Sequence, residues 1–419
     1  MSQWSNWSGS VAARPQAIAR PKTEAELARL VAAANKVRVA GAGHSFMPLC
    51  ETEGLLLSLS DMEGALEISA DRTRASAPAG WSLARLTAAL WEEGLSLINQ
   101  GDVNPQALAG AIGTGTHGTG EKLGSLSTAA RTFHVMGPDG AIIECSAGEN
   151  ADLFQAQRIG LGLPGIVTRI EIDVMEAYHL EETLTAMPLD AIAEQWDALT
   201  AQNRHVEFWI FPHGGQALLK RLNPAPPEGE MTQTTDVDES DFRLFCNISA
   251  AAPWVTRHLQ PRLVSKRLNA RRVGPAYKVF PSDRTVRFEE MEYEIPRAAG
   301  LPALREAMAH IQKQRLPVVF PFEFRVVAAD DIWLSPMHAG ACASISMHQY
   351  SKMEYARVFA AIEPIFRAHG GRPHWAKRHT LTRADVDALY PNAERFRAVR
   401  AARDPHGKFL NAHLAPLFG

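Results

Sequence analysis

The segment Val37-Arg-Val-Ala-Gly-Ala-Gly-His-Ser-Phe46 passes from a β-branched, alternately apolar run into a glycine-rich turn. The alternation predicts a strand. Glycines in the turn permit positive φ and let the backbone approach a ligand closely, because no Cβ intervenes. The turn presents His44 and Ser45 at its tip. Taken alone, the segment fits a ligand-binding loop and a tight loop with a solvated histidine equally well. Other segments of the chain are needed to distinguish the two.

Two other segments combine glycine or histidine with small or basic residues. One is Gly110-Ala-Ile-Gly-Thr-Gly-Thr-His-Gly-Thr-Gly120, where threonine alternates with glycine and stiffens an otherwise flexible loop. Its backbone N–H groups and hydroxyls suit the oxygens of a diphosphate. The other is His374-Trp-Ala-Lys377 near the C-terminus. The first of these two segments therefore predicts a diphosphate-binding loop.

In their order and spacing, the three segments resemble motifs of the FAD-linked oxidases of the vanillyl-alcohol oxidase type, in particular the aldonolactone and alditol oxidases. The resemblance extends from about Asn6 to Phe418. It implies an α+β flavoprotein with two domains. A PCMH-type FAD-binding domain is expected at residues 1–175, completed by 371–419, and an α+β substrate (cap) domain at 176–370.

The resemblance implies that FAD lies against the first loop and that His44 is bonded covalently to the 8α-methyl carbon of the flavin. A metal-binding histidine is the alternative, but no second His, Cys or carboxylate lies at ligand spacing, so no metal site is expected. The cofactor-binding residues implied by the two glycine loops are Gly41, Ala42, Gly43, His44, Ser45, Gly110, Gly113, Thr114, Thr116, His117 and Gly118.

The segment Gly160-Leu-Gly-Leu-Pro-Gly165 matches the dinucleotide pattern G-x-G-x-x-G letter for letter. That pattern requires a strand before it and a helix after it. Here a helix-like segment, 151–158, precedes it and a strand-like segment, 166–174, follows, which excludes a nicotinamide-binding Rossmann fold. The resemblance implies instead that Gly165 and Ile166 lie against the FAD.

The segment Asn99-Gln-Gly-Asp-Val-Asn-Pro105 is expected, from the resemblance, to pass the flavin ring. Alditol oxidases typically have a serine at the position of Asp102, so the chain departs from that branch. Gly101 occupies a position where a small residue is thought to let O₂ reach the flavin. The resemblance therefore favours, slightly, an oxidase over a dehydrogenase.

Alternation in Pro321-Phe-Glu-Phe-Arg325 places Glu323 and Arg325 on the same face of a strand. Such spacing often produces a surface ion pair. The apolar flanks, 318–320 and 326–327, instead predict a buried strand, and a buried Glu/Arg pair indicates a site. In the family that the chain resembles, this pair binds substrate hydroxyls over the flavin.

Further candidates for catalysis are Asp102, Lys377 and His348. The resemblance places Lys377 near flavin N1, where an ammonium group stabilises the negative charge that hydride transfer creates. A surface lysine is the alternative. His348 and Glu290 lie in alternating polar and apolar segments and are weaker candidates for the pocket, because a structural role explains either of them as well.

The resulting hypothesis is an enzyme that oxidises a CH–OH group by hydride transfer to flavin N5, with O₂ or another acceptor reoxidising the flavin. Residues 205–213 resemble the cap motif of aldonolactone oxidases, so we expect an aldono-1,4-lactone oxidised at C2. An alditol oxidised at its terminal carbon is the alternative substrate. A flavin-binding protein without catalysis is a third possibility, against which Glu323, Arg325 and Lys377 together argue.

Length and composition describe an ordinary globular protein. The chain has 419 residues, enough for two or three domains, of which 46% are hydrophobic and 21% charged. A net charge of −3 gives no electrostatic reason to expect binding to nucleic acid or to an anionic membrane. Basic residues at 257–278 alternate with apolar ones and predict a solvated helical face.

The cysteines and the N-terminus bear on the compartment. The cysteines are widely spaced, without a C-x-x-C pair, as in reduced structural thiols. The N-terminus lacks the basic and then apolar pattern of a secretory signal. No apolar run approaches the ~18 residues of a membrane span. We therefore expect a cytoplasmic protein without membrane insertion. The cysteines are Cys50, Cys145, Cys246 and Cys342.

Hydrophobic periodicity predicts many of the helices and strands. Thr23 and Glu26 form a candidate capping box at the start of a helix. Further helices are predicted at 83–95, 301–314 and 352–369, strands at 54–59, 206–211 and 343–349, a hairpin turn at 137–140 and a loop at 224–230.

Overall fold

The computed structural model describes residues 3–227, 232–233, 239–264, 268–282, 284–338 and 340–419. Its strands, in chain order, are β1 Trp4–Ser5, β2 Ala12–Ala13, β3 Ala17–Ala19, β4 Val37–Val39, β5 Leu55–Leu57, β6 Glu67–Ile68, β7 Arg74–Pro78, β8 Leu95–Leu97, β9 Ala130–Met136, β10 Ile142–Ser146, β11 Ile166–Glu176, β12 His179–Pro188, β13 His205–Ile210, β14 Gln216–Ala225, β15 Thr232–Gln233, β16 Asn269–Pro275, β17 Phe288–Pro296, β18 Phe322–Val327, β19 Cys342–Tyr350 and β20 Arg372–Pro373. Its α-helices are α1 Glu24–Ala33, α2 Leu83–Glu92, α3 Leu108–Thr114, α4 Ala151–Arg158, α5 Leu189–Gln202, α6 Glu239–Ala251, α7 Thr256–Leu259, α8 Ala276–Val279, α9 Arg297–Gln314, α10 Ala356–Ala368, α11 Arg383–Leu389, α12 Ala393–Arg403 and α13 Ala415–Phe418.

A small parallel sheet, in the order β3-β5-β4, holds the strand predicted before the first glycine loop. Val37 of β4 lies opposite Leu55 of β5 and shares a buried core with Leu27 and Val31 of α1. Because β4 ends at Val39, the glycine loop emerges from the edge of a packed sheet. The predicted strand before the loop is confirmed.

The start of α1 differs in one detail from the predicted capping box. Thr23 Oγ1 accepts a hydrogen bond from the Glu26 N–H at 3.2 Å, as expected for an N-cap. The Glu26 carboxylate, however, accepts a bond from the N–H of Lys22 at 2.8 Å. In a capping box the Glu26 carboxylate would accept from the N–H of the N-cap residue, Thr23, whereas here it accepts from the residue before it, Lys22.

A second sheet runs in the order β10-β9-β11-β7-β6. The strand β8 pairs with the C-terminal end of β11, at residues 174–176. All pairings of this sheet are antiparallel. Along β11, buried and partly exposed residues alternate, because one face packs on α2 and its neighbours while the other is more open. The hairpin of β9 and β10 turns where the sequence predicted it.

The third sheet, called the cap sheet below, has nine strands in the order β15-β16-β12-β14-β13-β18-β19-β17-β20, all paired antiparallel. Its apolar face packs against α5, α9 and α10 through residues such as Phe208, Phe324 and Ile345. Its opposite face, called the polar face below, bears charged side chains that are nevertheless buried.

Several element boundaries differ from those predicted. The helix predicted to reach Leu95 ends at Glu92, because Gly94 has a φ of +68° and the chain turns there into β8. The helix expected from residue 301 begins at Arg297, and that expected from 352 begins at Ala356. The predicted loop at 224–230 overlaps the end of β14, and its residues 228–230 lie outside the described residues.

The basic segment 257–278 is not the solvated helical face that its pattern predicts. Part of it forms α7, but residues 269–275 form β16, and 265–267 lie outside the described residues. In β16, Arg271 and Arg272 pair with Glu181 and Glu182 of the neighbouring strand β12. The basic segment is therefore divided between a short helix and a strand whose arginines are held by carboxylates of the neighbouring strand.

The chain passes from the second sheet to the cap sheet between β11, which ends at Glu176, and β12, which begins at His179. It leaves the cap sheet after β20, whose residues 372–373 pair with β17. The predicted domain boundaries at 175 and 371 fall next to these points and stay predictions. Among the described residues, no helix has both the length and the apolar character needed to cross a bilayer.

Candidate functional site

A cavity of about 480 Å³ opens between the small parallel sheet and the second sheet. Its volume falls in the range of about 300–1,000 Å³ that cofactor and ligand pockets occupy. Ten of the predicted cofactor-binding residues line it, namely Gly41, Ala42, Gly43, His44, Ser45, Gly110, Gly113, Thr114, Gly165 and Ile166. The two glycine loops and the loop before β11, distant in sequence, therefore meet at one wall.

Glycine is required in the first loop for two physical reasons. A Cβ at Gly41 would lie 2.8 Å from the Cβ of Ala107, which is too close, so the loop and the start of α3 pack against each other only with glycine here. Gly43 has a φ of +71°, a conformation that L-residues rarely adopt. The cavity therefore has a wall of exposed backbone, which fits the diphosphate part of an extended nucleotide cofactor.

The second glycine segment is only partly a loop. Gly110 and Gly113 lie within α3, and the Thr114 hydroxyl donates a hydrogen bond to the Gly110 carbonyl at 2.9 Å. That hydroxyl is therefore engaged inside the helix. The prediction of a continuous diphosphate loop from 110 to 120 is wrong for its first half, where small residues bring a helix close to the cavity.

Five of the predicted cofactor-binding residues do not line the cavity: Gly101, Thr116, His117, Gly118 and Lys377. Gly101 packs close to Thr116, whose Cγ2 would lie 3.1 Å from a Cβ at position 101. Gly118 crosses the backbone of Gln100 so closely that a Cβ would lie 2.0 Å from its carbonyl oxygen. These residues instead form the seam between the cavity and the cap sheet.

The segment 160–165 follows α4 and leads into β11, so the order of elements is the reverse of a dinucleotide-binding turn. The carbonyls of Leu161 and Gly162 accept hydrogen bonds from the buried guanidinium of Arg38 at 2.7 and 3.2 Å. Arg38 also donates to Leu49 O and Phe409 O. It thereby ties four separate segments of the cavity wall together, a role that the sequence analysis missed.

His44 lies at one end of the cavity, between Trp7 and the C-terminal motif. The Trp7 and His44 rings are stacked, with centroids 5.3 Å apart and planes inclined by 26°. Burial and the nearby Lys377 cation lower the pKa of His44 to about 4. The imidazole is therefore neutral at physiological pH and keeps a nucleophilic lone pair.

Lys377 pairs with Glu290, one of the weaker candidates from the sequence, and lies 3.9 Å from Glu292. His348 Nε2 lies 3.4 Å from the other oxygen of Glu290. Burial acts to raise the pKa of Glu290, but the charges of Lys377 and His348 outweigh it and lower the pKa to about 2. Lys377, Glu290 and His348 are thus brought together at the end of the polar face, near Phe46 of the first loop.

Glu323 and Arg325 lie on the polar face of β18, and both are buried, as the sequence pattern predicts. Arg325 Nε lies 3.6 Å from Glu323 Oε1, and Arg325 Nη2 lies 3.3 Å from Glu292 Oε2. Burial acts to lower the pKa of Arg325, but Glu323 and Glu292 hold it well above its usual value. Burial raises the pKa of Glu323 although the Arg325 cation opposes the shift.

Asp102, on the segment after β8, reaches the same face. Its carboxylate oxygens lie 3.7 Å from Lys220 Nζ and 3.7 Å from Arg284 Nη2, yet neither accepts a hydrogen bond within the described residues. Burial acts to raise the pKa of Asp102, but Lys220, Arg325 and Arg284 hold it below its usual range. These oxygens have cations nearby but no hydrogen-bond donor within the described residues, so they are suited to a ligand that donates hydrogen bonds.

The sequence analysis missed four charged residues of the polar face: Glu207, Lys220, Glu292 and Glu294. Glu207 and Lys220 lie directly opposite each other on β13 and β14, with Nζ 3.0 Å from Oε1. Burial and the Asp102 charge raise the pKa of Glu207 to about 8. For Glu292 and Glu294, the signal that could have found them is the i, i+2 repetition of charge in a strand with apolar alternate positions, as used for β18. Glu207 and Lys220 have no charged residue two positions away on their strands, so that signal is absent for them.

His117 turns away from the cavity and towards the cap sheet. Its Nε2 lies 2.7 Å from Glu292 Oε1 and 3.2 Å from Glu294 Oε1, while Nδ1 lies 2.8 Å from the Gly118 carbonyl oxygen. Burial acts to lower the pKa of His117, but the two carboxylates outweigh it and raise the pKa to about 10. His117 is therefore a fixed imidazolium that joins the second glycine segment to the cap sheet.

The chain is similar to known proteins over nearly its whole length. A family model described as D-arabinono-1,4-lactone oxidase matches residues 170–417, and a FAD binding domain model matches residues 15–146. An L-gulono-1,4-lactone dehydrogenase of Mycobacterium tuberculosis is 34% identical over an alignment of 427 residues that covers 99% of this chain and 99% of its own. An L-gulonolactone oxidase of Bos taurus is 30% identical, over 99% of this chain and 98% of its own.

Among solved structures, a solvent-stable cholesterol oxidase superposes with a TM-score of 0.83 at 18% identity, covering 100% of this chain and 97% of that chain. At this identity the likeness shows a shared fold.

Proposed function

The chain belongs to the family of FAD-linked aldonolactone oxidases and dehydrogenases, and we propose that it oxidises an aldono-1,4-lactone at C2. Its fold is that of the two-domain enzymes with an FAD-binding domain and a cap domain. The observation that carries the proposal is the buried Glu323–Arg325 pair near Asp102, whose carboxylate oxygens accept no hydrogen bond within the described residues. A ligand rich in hydroxyl groups satisfies such atoms, whereas an apolar ligand leaves them unpaired.

The cofactor is FAD, with its diphosphate against the wall formed by the first glycine loop and α3. The residues present fit this group, because the wall consists largely of glycine and alanine and exposes backbone. His44, which lines the cavity, and Lys377, which lies at the end of the polar face, would hold the flavin ring. We propose that His44 is bonded to the flavin, since its neutral imidazole lines the cavity. The bound flavin supplies a hydride acceptor at N5.

On the polar face, Arg325 binds and orients the substrate hydroxyl or lactone oxygen, and Glu323 accepts a hydrogen bond from a neighbouring hydroxyl. A planar guanidinium suits this role because it presents several donors in a fixed geometry. Asp102 and His348 both lie close enough to Glu323 for their charges to affect its pKa, and they extend the polar lining. The buried surroundings exclude water, so each of these interactions is stronger than it is at a surface.

Lys377 provides a fixed positive charge beside the flavin end of the site. A cation placed there stabilises negative charge that develops during hydride transfer more than it stabilises the ground state. The contact with Glu290 holds the ammonium group in place before reaction. Glu290 is thereby a positioning residue for Lys377.

O₂ is the proposed electron acceptor. The named relatives include both an oxidase and a dehydrogenase, so they do not choose between acceptors. Gly101 supports O₂, because a side chain there would crowd the segment that passes the flavin. Asp102 supports a lactone over an alditol as substrate, because alditol oxidases typically have a serine at this position.

One experiment tests these proposals together. The purified protein is mixed anaerobically with a panel of aldono-1,4-lactones and of alditols, and the flavin absorbance is followed. Bleaching by a lactone, reversed by air with formation of H₂O₂, is the expected result. Bleaching by alditols alone would replace the proposed substrate, and bleaching that air does not reverse would replace O₂ with another acceptor. A flavin that no member of either class bleaches would contradict the proposed activity.

A further inference from the structure

The N-terminal hairpin of β1 and β2 lies directly over the first glycine loop. The backbone N–H of Trp7 donates to the Gly43 carbonyl at 2.8 Å. The Asn6 amide nitrogen donates to the Ser45 carbonyl at 3.0 Å. The two bonds flank His44 on both sides in sequence, so the hairpin holds the loop at the residue that faces the cavity.

The hairpin is itself held firmly. Asn6 is only 5% exposed, and its Oδ1 accepts hydrogen bonds from the N–H groups of Gly9 and Val11 at 3.0 Å each. Arg378, which follows the C-terminal motif, donates to the Ser10 hydroxyl at 2.8 Å. The hairpin is therefore anchored to itself and to the segment that carries Lys377, and it places Trp7 accurately.

The Trp7 ring lies between His44 and two phenylalanines. It stacks on the imidazole with centroids 5.3 Å apart, and it meets the edges of Phe288 and Phe46 at 5.1 and 6.5 Å. Within the described part of the chain, no hydrogen bond to the His44 ring is found. The orientation of the imidazole is thus set by stacking, since no polar partner directs it.

We propose that Trp7 is a positioning residue for covalent attachment of FAD to His44. This inference rests on the proposed attachment and adds the residue that orients the nucleophile. In the net reaction, one N–H bond of the imidazole and one C–H bond of the 8α-methyl group are replaced with an N–C bond. The two hydrogen atoms, with their two electrons, pass to O₂ and form H₂O₂.

The physical reason is the geometry that attack on a methyl carbon demands. The imidazole lone pair lies in the plane of the ring, so ring rotation about χ2 moves it out of line with the carbon. A stacked indole restricts that rotation without engaging a ring nitrogen, whereas a hydrogen-bond donor to the unprotonated nitrogen would compete for its lone pair. Effective alignment of two reacting groups contributes several orders of magnitude to a rate.

The test uses full-length protein produced without flavin, for example in cells starved of riboflavin, to which FAD is then added in air. The formation of covalent flavin is followed by in-gel fluorescence after denaturation, and non-covalent FAD binding by flavin absorbance that remains after gel filtration. Trp7→Leu removes the stack, and Trp7→Phe retains an aromatic ring. The control, Trp254→Leu, changes a tryptophan that is 69% exposed and whose ring contacts that of His258.

We expect Trp7→Leu to bind FAD and unfold at nearly the wild-type temperature but to attach it at least about tenfold more slowly. Trp7→Phe should attach FAD within about threefold of the wild-type rate, and Trp254→Leu at that rate. Equal rates in Trp7→Leu and wild type would overturn the proposal. So would equally slow attachment in the Leu and Phe variants, because loss of stacking would then not be the cause. Wild-type protein without any covalent flavin would instead refute the attachment itself, whatever its activity on lactones.

Discussion

His117 Nε2 lies 2.7 Å from Glu292 Oε1, joining the glycine segment after α3 to the centre of the polar face. Glu292 also accepts hydrogen bonds from Ser346 at 2.7 Å and from Ser344 at 3.2 Å, and it lies beside Arg325. One buried carboxylate thus links the seam of the cavity to the strand that bears the proposed substrate-binding pair. The stability of this link and the geometry of the site are coupled.

The first prediction concerns His117. Replacement by Leu leaves Glu292 and Glu294 buried without their imidazolium, so we expect a loss of about 3–5 kcal/mol in the free energy of unfolding near pH 7. His134→Leu, which removes a half-buried histidine from its contact with the exposed Glu144, is the control and should cost about 1 kcal/mol or less. Urea denaturation measures both.

The pH dependence of this effect has a definite sign. The pKa of His117 is raised from about 6.5 when unfolded to about 10 when folded. Its contribution to stability is therefore fully present below about pH 6.5 and is lost as the pH rises through about 10. The difference between wild type and His117→Leu should shrink over that interval. A difference that is constant from pH 6 to 10 would show that His117 is not held as a cation.

The second prediction concerns His44. If the flavin is attached there, acid-precipitated wild-type protein keeps its yellow colour in the pellet, and His44→Ala releases the flavin to the supernatant. The substituted protein should still bind FAD before precipitation, because the backbone wall of the cavity is unchanged. Complete release of flavin from the wild-type pellet would show that the attachment is absent.

The third prediction concerns Arg325. Arg325→Lys keeps the charge near Glu323 and Glu292 but loses the planar fork of donors. We expect kcat/KM for the lactone to fall by roughly a hundredfold or more, the scale for loss of one oriented group, while the unfolding temperature changes little. Arg305→Lys, at an exposed pair with Asp190 on the outer helix α9, should alter neither. Unchanged kcat/KM in Arg325→Lys would remove Arg325 from the site.

The fourth prediction concerns Lys377. Lys377→Met deletes the cation, and we expect flavin reduction in anaerobic stopped flow to slow by on the order of a hundredfold or more, with a fall in the flavin reduction potential. Because Glu290 then lacks its main partner, the variant should also lose about 3–5 kcal/mol of stability.

The double variant Lys377→Met/Glu290→Gln separates the two effects. It removes the uncompensated carboxylate, so most of the lost stability should return, while flavin reduction should stay slow. If the double variant recovers the wild-type rate of reduction, then Lys377 acts on the fold and not on the flavin's charge.

Local features of the chain were predictable because their physical causes are local. The strand before the first loop, the N-cap at Thr23 and the hairpin of β9 and β10 follow from side-chain periodicity and turn residues within a few positions. The same holds for Glu323 and Arg325, since alternate residues of a strand share a face whatever surrounds it. The order of the glycine segments also sufficed to indicate the family, to which the chain belongs.

The tertiary structure alone decided which charges are buried together. A strand such as β17, with Glu290, Glu292 and Glu294 at alternate positions, has the same pattern whether its polar face meets water or another domain. In this fold the polar face is buried, in part beneath the glycine segment that carries His117. Sheet register places Lys220 opposite Glu207. His117 was expected at the cofactor wall but contacts Glu292, because a buried carboxylate needs a cation. Local sequence could not predict this pairing, since the two residues are 175 positions apart in the chain.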